Sequence, residues 1–226
     1  MTKAYFEILR SGINTTYQDV GRNSLYHIGI PFSGAMDKRN LLISNKLVGN
    51  KQTSPAIEFA LQGPLLRLNN SKANFVITGD VNFNIIRNES NIEKGNCYQS
   101  YILECGDQLD IVSTNRSVYG YLSIHGGYSI DPFWNSFSVN TKAKIGPNNG
   151  EKFSNNQKIF MNDSKFITKG GIKIEKSITP LIAENALNKI FQYIDSKKGT
   201  VRANHYHPVQ EPVSYTHLTL PTNREV

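Results

Sequence analysis

The feature that most constrains the fold of this chain is a succession of short apolar segments separated by Gly, Asn and Pro. Residues 57–61 alternate in polarity and stop at Gly63-Pro64, which is a strong turn signal. Similar segments occur at residues 5–9, 65–68, 74–78, 83–86, 109–112 and 118–124. Because alternation places one face of each strand against a core, the pattern predicts a mainly β fold, a barrel or a sandwich. It argues against a parallel sheet buried on both faces.

One helix interrupts the predicted strands. Residues 41–48 have apolar side chains at helical spacing, with Asp37 before them and Gly49 after them. A carboxylate at the N-cap accepts hydrogen bonds from free amide groups, and glycine is favoured just past the last turn. The pattern therefore predicts a short helix, and it leaves Asp37 open to two interpretations, a helix cap or a ligand-binding residue.

Composition and charge exclude several classes of protein. Aromatic residues make up 10% of the 226 residues, which is enough to fill a core and excludes an acidic disordered chain. No apolar run approaches the ~18–20 residues of a membrane span, and charges near the N-terminus leave no room for a signal peptide, so we expect a cytoplasmic protein. The net charge of +7 comes from scattered basic residues and does not predict a nucleic-acid interface. Cys97 and Cys105 form no CxxC pattern and are expected to be reduced.

The densest group of polar residues lies within residues 15–50. Gln18 and Asp19 supply an amide and a carboxylate beside Arg22, whose guanidinium can hold a carboxylate or phosphate by two parallel hydrogen bonds. Ser33-Gly34 leads towards the predicted helix N-terminus, where free amide groups favour an anion. The residues alone leave a second interpretation open, in which these are buried turns and Asp19 pairs with Arg22. The group matches neither the GxGxxG nor the GxxxxGKS/T nucleotide motif.

Three runs in this region carry a family resemblance: GINTTYQDVGR at 12–22, GIPFSGAMD at 29–37 and NKLVGN at 45–50. With Ile57-Glu58, Gly63-Pro64, ITG at 77–79 and YLSIHGG at 121–127, they occur in one order. This succession resembles the family of 5-oxoprolinase C subunits, also called the biotin-dependent carboxyltransferase or allophanate hydrolase subunit 2 family. The resemblance implies a cyclophilin-like fold of two β-barrel lobes. The family domain is longer than the matching part, so the second lobe is expected to be truncated.

The resemblance also implies an enzyme subunit. Family members of the 5-oxoprolinase type work with the A and B subunits to couple ATP hydrolysis to conversion of 5-oxo-L-proline to L-glutamate. The expected partners are therefore these two subunits and a small lactam or amide substrate, and the expected cofactor is ATP, through the complex. Without its partners the chain is expected to be inactive. Two other family roles stay open: a regulatory module that antagonises a kinase inhibitor resembling the B subunit, and half of a biotin-dependent carboxyltransferase.

The resemblance and the residue chemistry together give a set of candidate site residues. The expected catalytic residues are Gln18, Asp19, Arg22, Ser33 and Asp37, and the expected substrate-binding residues are Gly34, Asn45, Asn50 and Glu58. Arg22 would hold an anionic group, Asp19 would orient it or act as a base, and the amides of Ser33-Gly34 would stabilise developing charge.

Two later segments depart from the family pattern. Residues 135–139 read NSFSV where the family usually has Gly-Ser-x-Ser-Thr. Lys152 stands where a Gly-rich segment usually ends in Arg, so that position keeps its charge but loses the bidentate fork.

The C-terminal residues change character, and we predict domain boundaries at 1–175, 176–212 and 213–226. Residues 199–211 have the spacing of a first cupin motif, G-x5-H-x-H-x3-E, in which His205, His207 and Glu211 can share one metal ion. A cupin needs about eight strands, so we interpret residues 176–212 as a foreign fragment and do not expect metal binding. Residues 213–226 resemble translated adapter sequence. The alternative is a native extension whose predicted helix at 179–196 caps the barrel.

Overall fold

The computed structural model of the protein describes residues 3–88 and 90–162, together with the backbone of two short strands at 173–175 and 200–202. Thirteen strands and one α-helix occur within the described residues, with short 3-10 helices at Tyr26–Ile28 and Asn148–Gly150. In chain order they are β1 (Tyr5–Arg10), β2 (Thr16–Gln18), α1 (Lys38–Leu47), β3 (Ala56–Ala60), β4 (Leu65–Asn69), β5 (Ala73–Thr78), β6 (Val81–Arg87), β7 (Asn91–Lys94), β8 (Ser100–Leu103), β9 (Gln108–Thr114), β10 (Tyr119–Ile124), β11 (Lys158–Phe160), β12 (Lys173–Glu175) and β13 (Thr200–Arg202).

The strands form two larger antiparallel sheets. One has six strands in the order β11-β1-β4-β9-β6-β7, and the other has five in the order β2-β3-β10-β5-β8. A separate two-stranded sheet pairs β12 with β13 in parallel. The prediction of a mainly β chain with one short helix is confirmed. The expected closure into barrels is not confirmed, because within the described part of the chain the two edge strands of each large sheet do not pair with each other.

The main hydrophobic core of the described residues lies between the two large sheets. In β6, Val81, Phe83 and Ile85 are buried while the intervening asparagines are partly exposed, as the alternating pattern predicts. Phe83 packs edge-on against Phe75 of the other sheet, with ring centroids 6.1 Å apart. Residues from both sheets belong to the same cluster, so the architecture is a two-sheet sandwich.

Helix α1 packs on the outer face of the five-stranded sheet, against β10, β5 and β3. Leu41 joins Ala35, Ala56 and Tyr121 in a second small cluster on this face. The neighbouring Leu122 belongs to the main core, because successive side chains of a strand point to opposite faces. The helix therefore covers the face of the sheet that carries Glu58 and Tyr121, which are directly paired in register.

The long connection after β10 returns across the end of the five-stranded sheet. Val139 donates its amide to the carbonyl of Tyr17 (3.0 Å), and Phe153 donates to the carbonyl of Thr15 (2.9 Å). Both side chains enter the main core. These contacts bring the segment 133–138 beside β2 and the residues that follow it. No helix in the described residues is long and apolar enough to span a membrane.

Candidate functional site

The carboxylate of Asp19 holds the segment 133–138 in place. Its Oδ1 accepts hydrogen bonds from the amide of Gly21 (2.8 Å) and from the hydroxyls of Ser136 (2.8 Å) and Ser138, and its Oδ2 accepts from the amide of Phe137 (2.7 Å). Asp19 is buried, so these donors replace the water that the carboxylate would otherwise bind. Because both oxygens are occupied, the geometry makes Asp19 a positioning group for the segment rather than a free base.

Arg22 is buried against the same segment. Its Nε donates to the carbonyl of Phe133 (3.3 Å), and its Nη2 donates to the carbonyl of Ser138. Its Nη1 is buried and has no hydrogen-bond partner within the structure. Burial lowers the pKa of Arg22, while the nearby charge of Asp19 acts in the opposite direction. The two residues share a segment but make no direct ion pair, so the predicted Asp19–Arg22 pairing is not the arrangement observed.

Gln18 ends β2 and is also buried. Its side-chain amide nitrogen donates to the hydroxyl of Thr16 (3.0 Å) and the carbonyl of Val139 (2.9 Å). Its Oε1 atom is buried without a donor. Gln18 and Arg22 therefore each carry one unused polar atom, an acceptor and a donor respectively, and such atoms normally find partners in folded proteins.

The turn at Ser33-Gly34 lies against the same region. Both residues have positive φ angles, 56° and 94°, and a Cβ atom on Gly34 would lie 3.0 Å from the Cα of Gly21. The amide of Ala35 donates to the carbonyl of Asp19 (2.9 Å). Glycine is thus required here by backbone conformation and by close approach of two chain segments. The Ser33 hydroxyl accepts a long hydrogen bond from Asn140 (3.4 Å).

Asp37 caps α1. Its Oδ1 accepts a hydrogen bond from the amide of Asn40 (3.0 Å), and its Oδ2 accepts from the side chain of the same residue (2.6 Å). Its own amide donates to the hydroxyl of Tyr121 (2.6 Å). Of the two interpretations left open by the sequence, the structure shows the cap.

Glu58 and Tyr121 fix the entry to the helix from the sheet below it. Glu58 Oε2 accepts hydrogen bonds from the amide of Met36 (2.8 Å) and the hydroxyl of Tyr121 (2.7 Å). Burial raises the pKa of Glu58; these two hydrogen bonds act to lower it, and the charge of Asp37 acts to raise it. Burial and the neighbouring Glu58 raise the pKa of Tyr121, so its hydroxyl keeps its proton for this bond.

Asn45 and Asn50 are hydrogen-bonded within the protein. The Asn45 side chain donates to the carbonyl of Ser54 (2.7 Å) and accepts from the hydroxyl of Ser123 (3.0 Å). Asn50 donates to the carbonyl of Ile124 (2.7 Å) and accepts from the amide of Gly126 (3.0 Å). These contacts tie the end of α1 to the end of β10.

A cleft of about 730 Å³ opens beside the Asp19 turn. Its walls come from the residues around Asp19, the 3-10 turn that follows, Thr53 and the segment 133–138. Ile28 and Trp134 line it with largely exposed apolar surface, 59% and 48% exposed. Its size and mixed apolar and polar lining suit a small organic molecule.

The structure brings part of the predicted set together. Gln18, Asp19, Arg22, Ser33 and Gly34 lie around residues 133–140, and of these five Asp19 lines the cleft. Asp37 and Glu58 lie at the helix entry, and Asn45 and Asn50 lie at the helix end. The prediction missed Ser136, Ser138, Tyr121 and Trp134. The NSFSV run resembles the family's serine-containing segment, and that resemblance could have pointed to Ser136 and Ser138. It does not indicate that these serines contact Asp19.

No group of His, Cys, Asp and Glu within the described residues could hold a metal ion. His205, His207 and Glu211 lie outside the described residues, as does the helix predicted at 179–196. Cys97 is buried and Cys105 is exposed, and no disulfide joins these two described cysteines.

Comparison with known proteins identifies relatives over most of the chain. Residues 28–199 match the family model described as carboxyltransferase domain, subdomain A and B. The match runs past residue 175, where we predicted a domain boundary, and that boundary stays a prediction.

Two named relatives are 5-oxoprolinase C subunits. The chain is 34% identical over 140 residues to that of Haemophilus influenzae, covering 62% of this chain and 44% of the relative. It is 29% identical over 161 residues to that of Escherichia coli, covering 70% of this chain and 50% of the relative. The chain thus spans about half the length of these curated relatives.

A solved structure shares the fold. The crystal structure of the Kluyveromyces lactis urea amidolyase superposes with a TM-score of 0.67 at 25% identity, covering 85% of this chain and 13% of that chain.

Proposed function

Because this chain belongs to the carboxyltransferase domain family, subdomains A and B, we propose that it acts as the C subunit of an ATP-dependent 5-oxoprolinase complex. The complex would convert 5-oxo-L-proline to L-glutamate. The observation that carries the proposal is the similarity to two 5-oxoprolinase C subunits, each matched over about half of its length.

The unused polar atoms of Gln18 and Arg22 support a lactam substrate. A lactam has one N–H donor and one carbonyl acceptor, which complement a lone Gln18 Oε1 and a lone Arg22 Nη1. The two residues flank Asp19 to Gly21 in the chain. Those intervening residues line the cleft, whereas Gln18 and Arg22 lie buried behind them, so the proposal requires the wall of the cleft to open for a lactam to reach the two atoms. In the proposal, Arg22 polarises the lactam carbonyl while Gln18 orients the ring, and Asp19 holds the segment 133–138 that supports Arg22.

The proposed reaction needs partners. Opening the lactam is coupled to ATP in the complex, so the proposed partners are the A and B subunits, and ATP would act through them. The chain on its own would then show no turnover. The site of this chain would contribute substrate binding and carbonyl polarisation.

The test is reconstitution. The full chain is co-expressed with its presumed A and B subunits, and ATP-dependent release of L-glutamate from 5-oxo-L-proline is measured. We expect activity only when all three are present. For Arg22→Lys, which keeps the charge but loses the bidentate guanidinium, we expect glutamate release to fall about 100-fold or more.

Arg67→Lys is the matched control, because Arg67 lies on the six-stranded sheet, 3.7 Å from Glu7. Thermal unfolding of both variants shows whether each is folded. Full activity of a folded Arg22→Lys complex would refute the site assignment.

A second candidate function is half of a biotin-dependent carboxyltransferase, which the structural similarity to urea amidolyase favours. In that case biotin, carried by another protein, would be the cofactor. The same reconstituted proteins distinguish the two functions. With a biotin carboxylase and a biotin carrier added, bicarbonate- and ATP-dependent carboxylation of a small amide without glutamate release would support the carboxyltransferase and contradict the 5-oxoprolinase.

A further inference from the structure

A second cavity, of about 370 Å³, lies apart from the cleft described above. It is bounded by the turn between β5 and β6, the chain that follows β7 and the turn between β9 and β10. Its polar lining includes Asp80, Asn82, Lys94, Asn96, Asn115 and Arg116, and it shares no lining residue with the cleft beside Asp19. We propose that this cavity, called here the Lys94–Arg116 cavity, binds a small oxoanion, a carboxylate or phosphate group, between its two cations.

The first argument is that the two cations of the cavity have no hydrogen-bond or ion-pair partner among the described residues. Lys94, at the end of β7, and Arg116, in the turn between β9 and β10, both line the cavity and are exposed. Each of the other partly exposed arginines on the six-stranded sheet, Arg10, Arg67 and Arg87, lies within 4 Å of a carboxylate. The side chains of Lys94 and Arg116 make no ion pair or hydrogen bond with any described residue. Like charges on two residues that line one small space repel each other, and a bound oxoanion would offset that repulsion.

The second argument concerns the hydrogen bonds of Asp80, the acidic residue in the cavity wall. Its Oδ1 accepts from the side chain of Asn115 (3.1 Å), and its Oδ2 accepts from the backbone amide of Arg116 (3.2 Å). Its carboxylate thus holds the turn between β9 and β10 and makes no ion pair with the Arg116 guanidinium. With two cations against one carboxylate, the lining keeps a net charge of +1, which favours an anion.

The third argument is that the walls are fixed before a ligand arrives. Asn82 donates to Asn115 Oδ1 (2.6 Å) and to the hydroxyl of Ser113 (3.3 Å), and the Ser117 hydroxyl accepts from the amide of Asp80 (3.2 Å). On the opposite side, a Cβ atom on Gly95 would lie 1.9 Å from the ring of Phe83, so the chain there lies tightly on the core. A fixed polar wall lowers the entropy cost of ordering a bound group.

The size of the cavity limits the ligand. A space of about 370 Å³ lies near the lower end of the range for small-molecule sites, so it admits an amino acid, a small dicarboxylate or a phosphate rather than a nucleotide. Asn96, whose side chain makes no hydrogen bond with the described residues, can donate to or accept from the rest of the ligand.

The test uses the full chain and two probes, L-glutamate for the carboxylate and inorganic phosphate for the phosphate. Binding of each is titrated at low ionic strength by backbone amide chemical shifts, which also locate the site. We expect saturable shifts centred on residues 94–96 and 115–116 for at least one probe, and the probe that saturates at lower concentration identifies the source of the oxoanion.

Charge-removing variants then separate a site from general attraction. Lys94→Gln and Arg116→Gln are each expected to weaken binding about tenfold, the usual cost of losing one charged hydrogen bond. Lys51→Gln is the matched control, because it removes the same charge from an exposed position after α1 that lies outside both cavities. The proposal is overturned if neither probe gives saturable shifts at residues 94–96 and 115–116, whether or not L-glutamate also shifts residues of the cleft beside Asp19, or if Lys51→Gln weakens binding as much as the other two. All three positions are exposed, and unchanged thermal unfolding shows that each variant is folded.

Discussion

Asp19 shows how a residue that looks catalytic in sequence can serve mainly to position others. It accepts four hydrogen bonds, from Gly21, Ser136, Phe137 and Ser138, all in a buried setting. We expect Asp19→Asn to lower the free energy of unfolding by about 2–4 kcal/mol, because the new NH2 group must face an N–H or O–H donor. Urea denaturation measures the loss.

The matched control for this prediction is Asp131→Asn. Asp131 is exposed, so the same change of atoms should shift stability by less than about 0.5 kcal/mol. Equal stability of the Asp19 and Asp131 variants would contradict the anchoring role.

Glu58 gives a prediction about pH. Burial is the largest influence on its pKa and raises it above the ordinary 4.5. The folded state therefore holds the proton to higher pH than the unfolded state. As pH rises from the pKa of Glu58 in the unfolded state to its higher pKa in the folded state, the free energy of unfolding must fall. This loss of stability is complete once the pH exceeds the pKa of the folded state.

We expect Glu58→Gln to remove this component of the pH dependence. The amide oxygen can still accept from Met36 and Tyr121, which now bond to Glu58 Oε2. The urea midpoints of wild type and variant are compared from about pH 4.5 to about pH 7.5. The difference should grow in favour of the variant as pH rises, and parallel curves would show that Glu58 does not titrate in this range.

At the scale of elements, α1 was predictable in both position and ends. Apolar spacing, Asp37 and Gly49 indicated its limits, and the structure has Asp37 as the N-cap and Gly49 just past the C-cap with φ of 75°. Capping depends on neighbouring residues in the chain, so the sequence reveals it.

We expect Asp37→Ala to lower the free energy of unfolding by about 1 kcal/mol and Asp37→Asn to lower it by only a few tenths of a kcal/mol, as measured by urea denaturation.

The Asp37→Asn variant also distinguishes the two interpretations of this residue. An asparagine retains the cap but loses the charge. If Asp37 is a cap alone, the glutamate release of the reconstituted complex should stay near that of wild type. A large loss of turnover in the stable Asp37→Asn variant would show that the carboxylate also acts on substrate.

The connection 133–146 was not predictable, because its contacts depend on residues more than a hundred positions away. The run NSFSV indicates a polar loop, and nothing local shows that its serines donate to Asp19. The same connection contains Gly146, where a Cβ atom would lie 2.4 Å from the carbonyl oxygen of Ser138. Gly146 therefore controls the position of the serine that Asp19 binds.

We expect Gly146→Ala to destabilise the fold by about 2 kcal/mol more than Gly29→Ala. Both glycines have positive φ, 118° and 77°, so both substitutions incur backbone strain. A Cβ on Gly29 meets no atom within 4 Å, so it lacks the steric clash. Urea denaturation gives the difference, and equal costs would show that the connection shifts freely to accept the methyl group.

At the scale of the molecule, the sandwich closes only when distant parts of the chain meet. β11 pairs with β1 at the edge of the six-stranded sheet, and β10 pairs with both β3 and β5 in the other sheet. The alternating pattern predicts strands and their buried faces, because those depend on local polarity. It cannot predict strand order or open edges, because many orders bury the same faces equally well.

The domain boundary predicted at residue 175 can be tested against this architecture. The main core uses Ile159 and Met161, which are 1% and 5% exposed, and includes no described residue after them. We expect a chain of residues 1–175 to unfold in one cooperative transition with nearly unchanged stability. A chain of residues 1–155 loses both side chains and β11, and should be less stable by at least about 4 kcal/mol or fail to fold.

Failure of the 1–175 chain to fold would mean that residues beyond 175 belong to the domain. That result would contradict the interpretation of residues 176–212 as a foreign fragment.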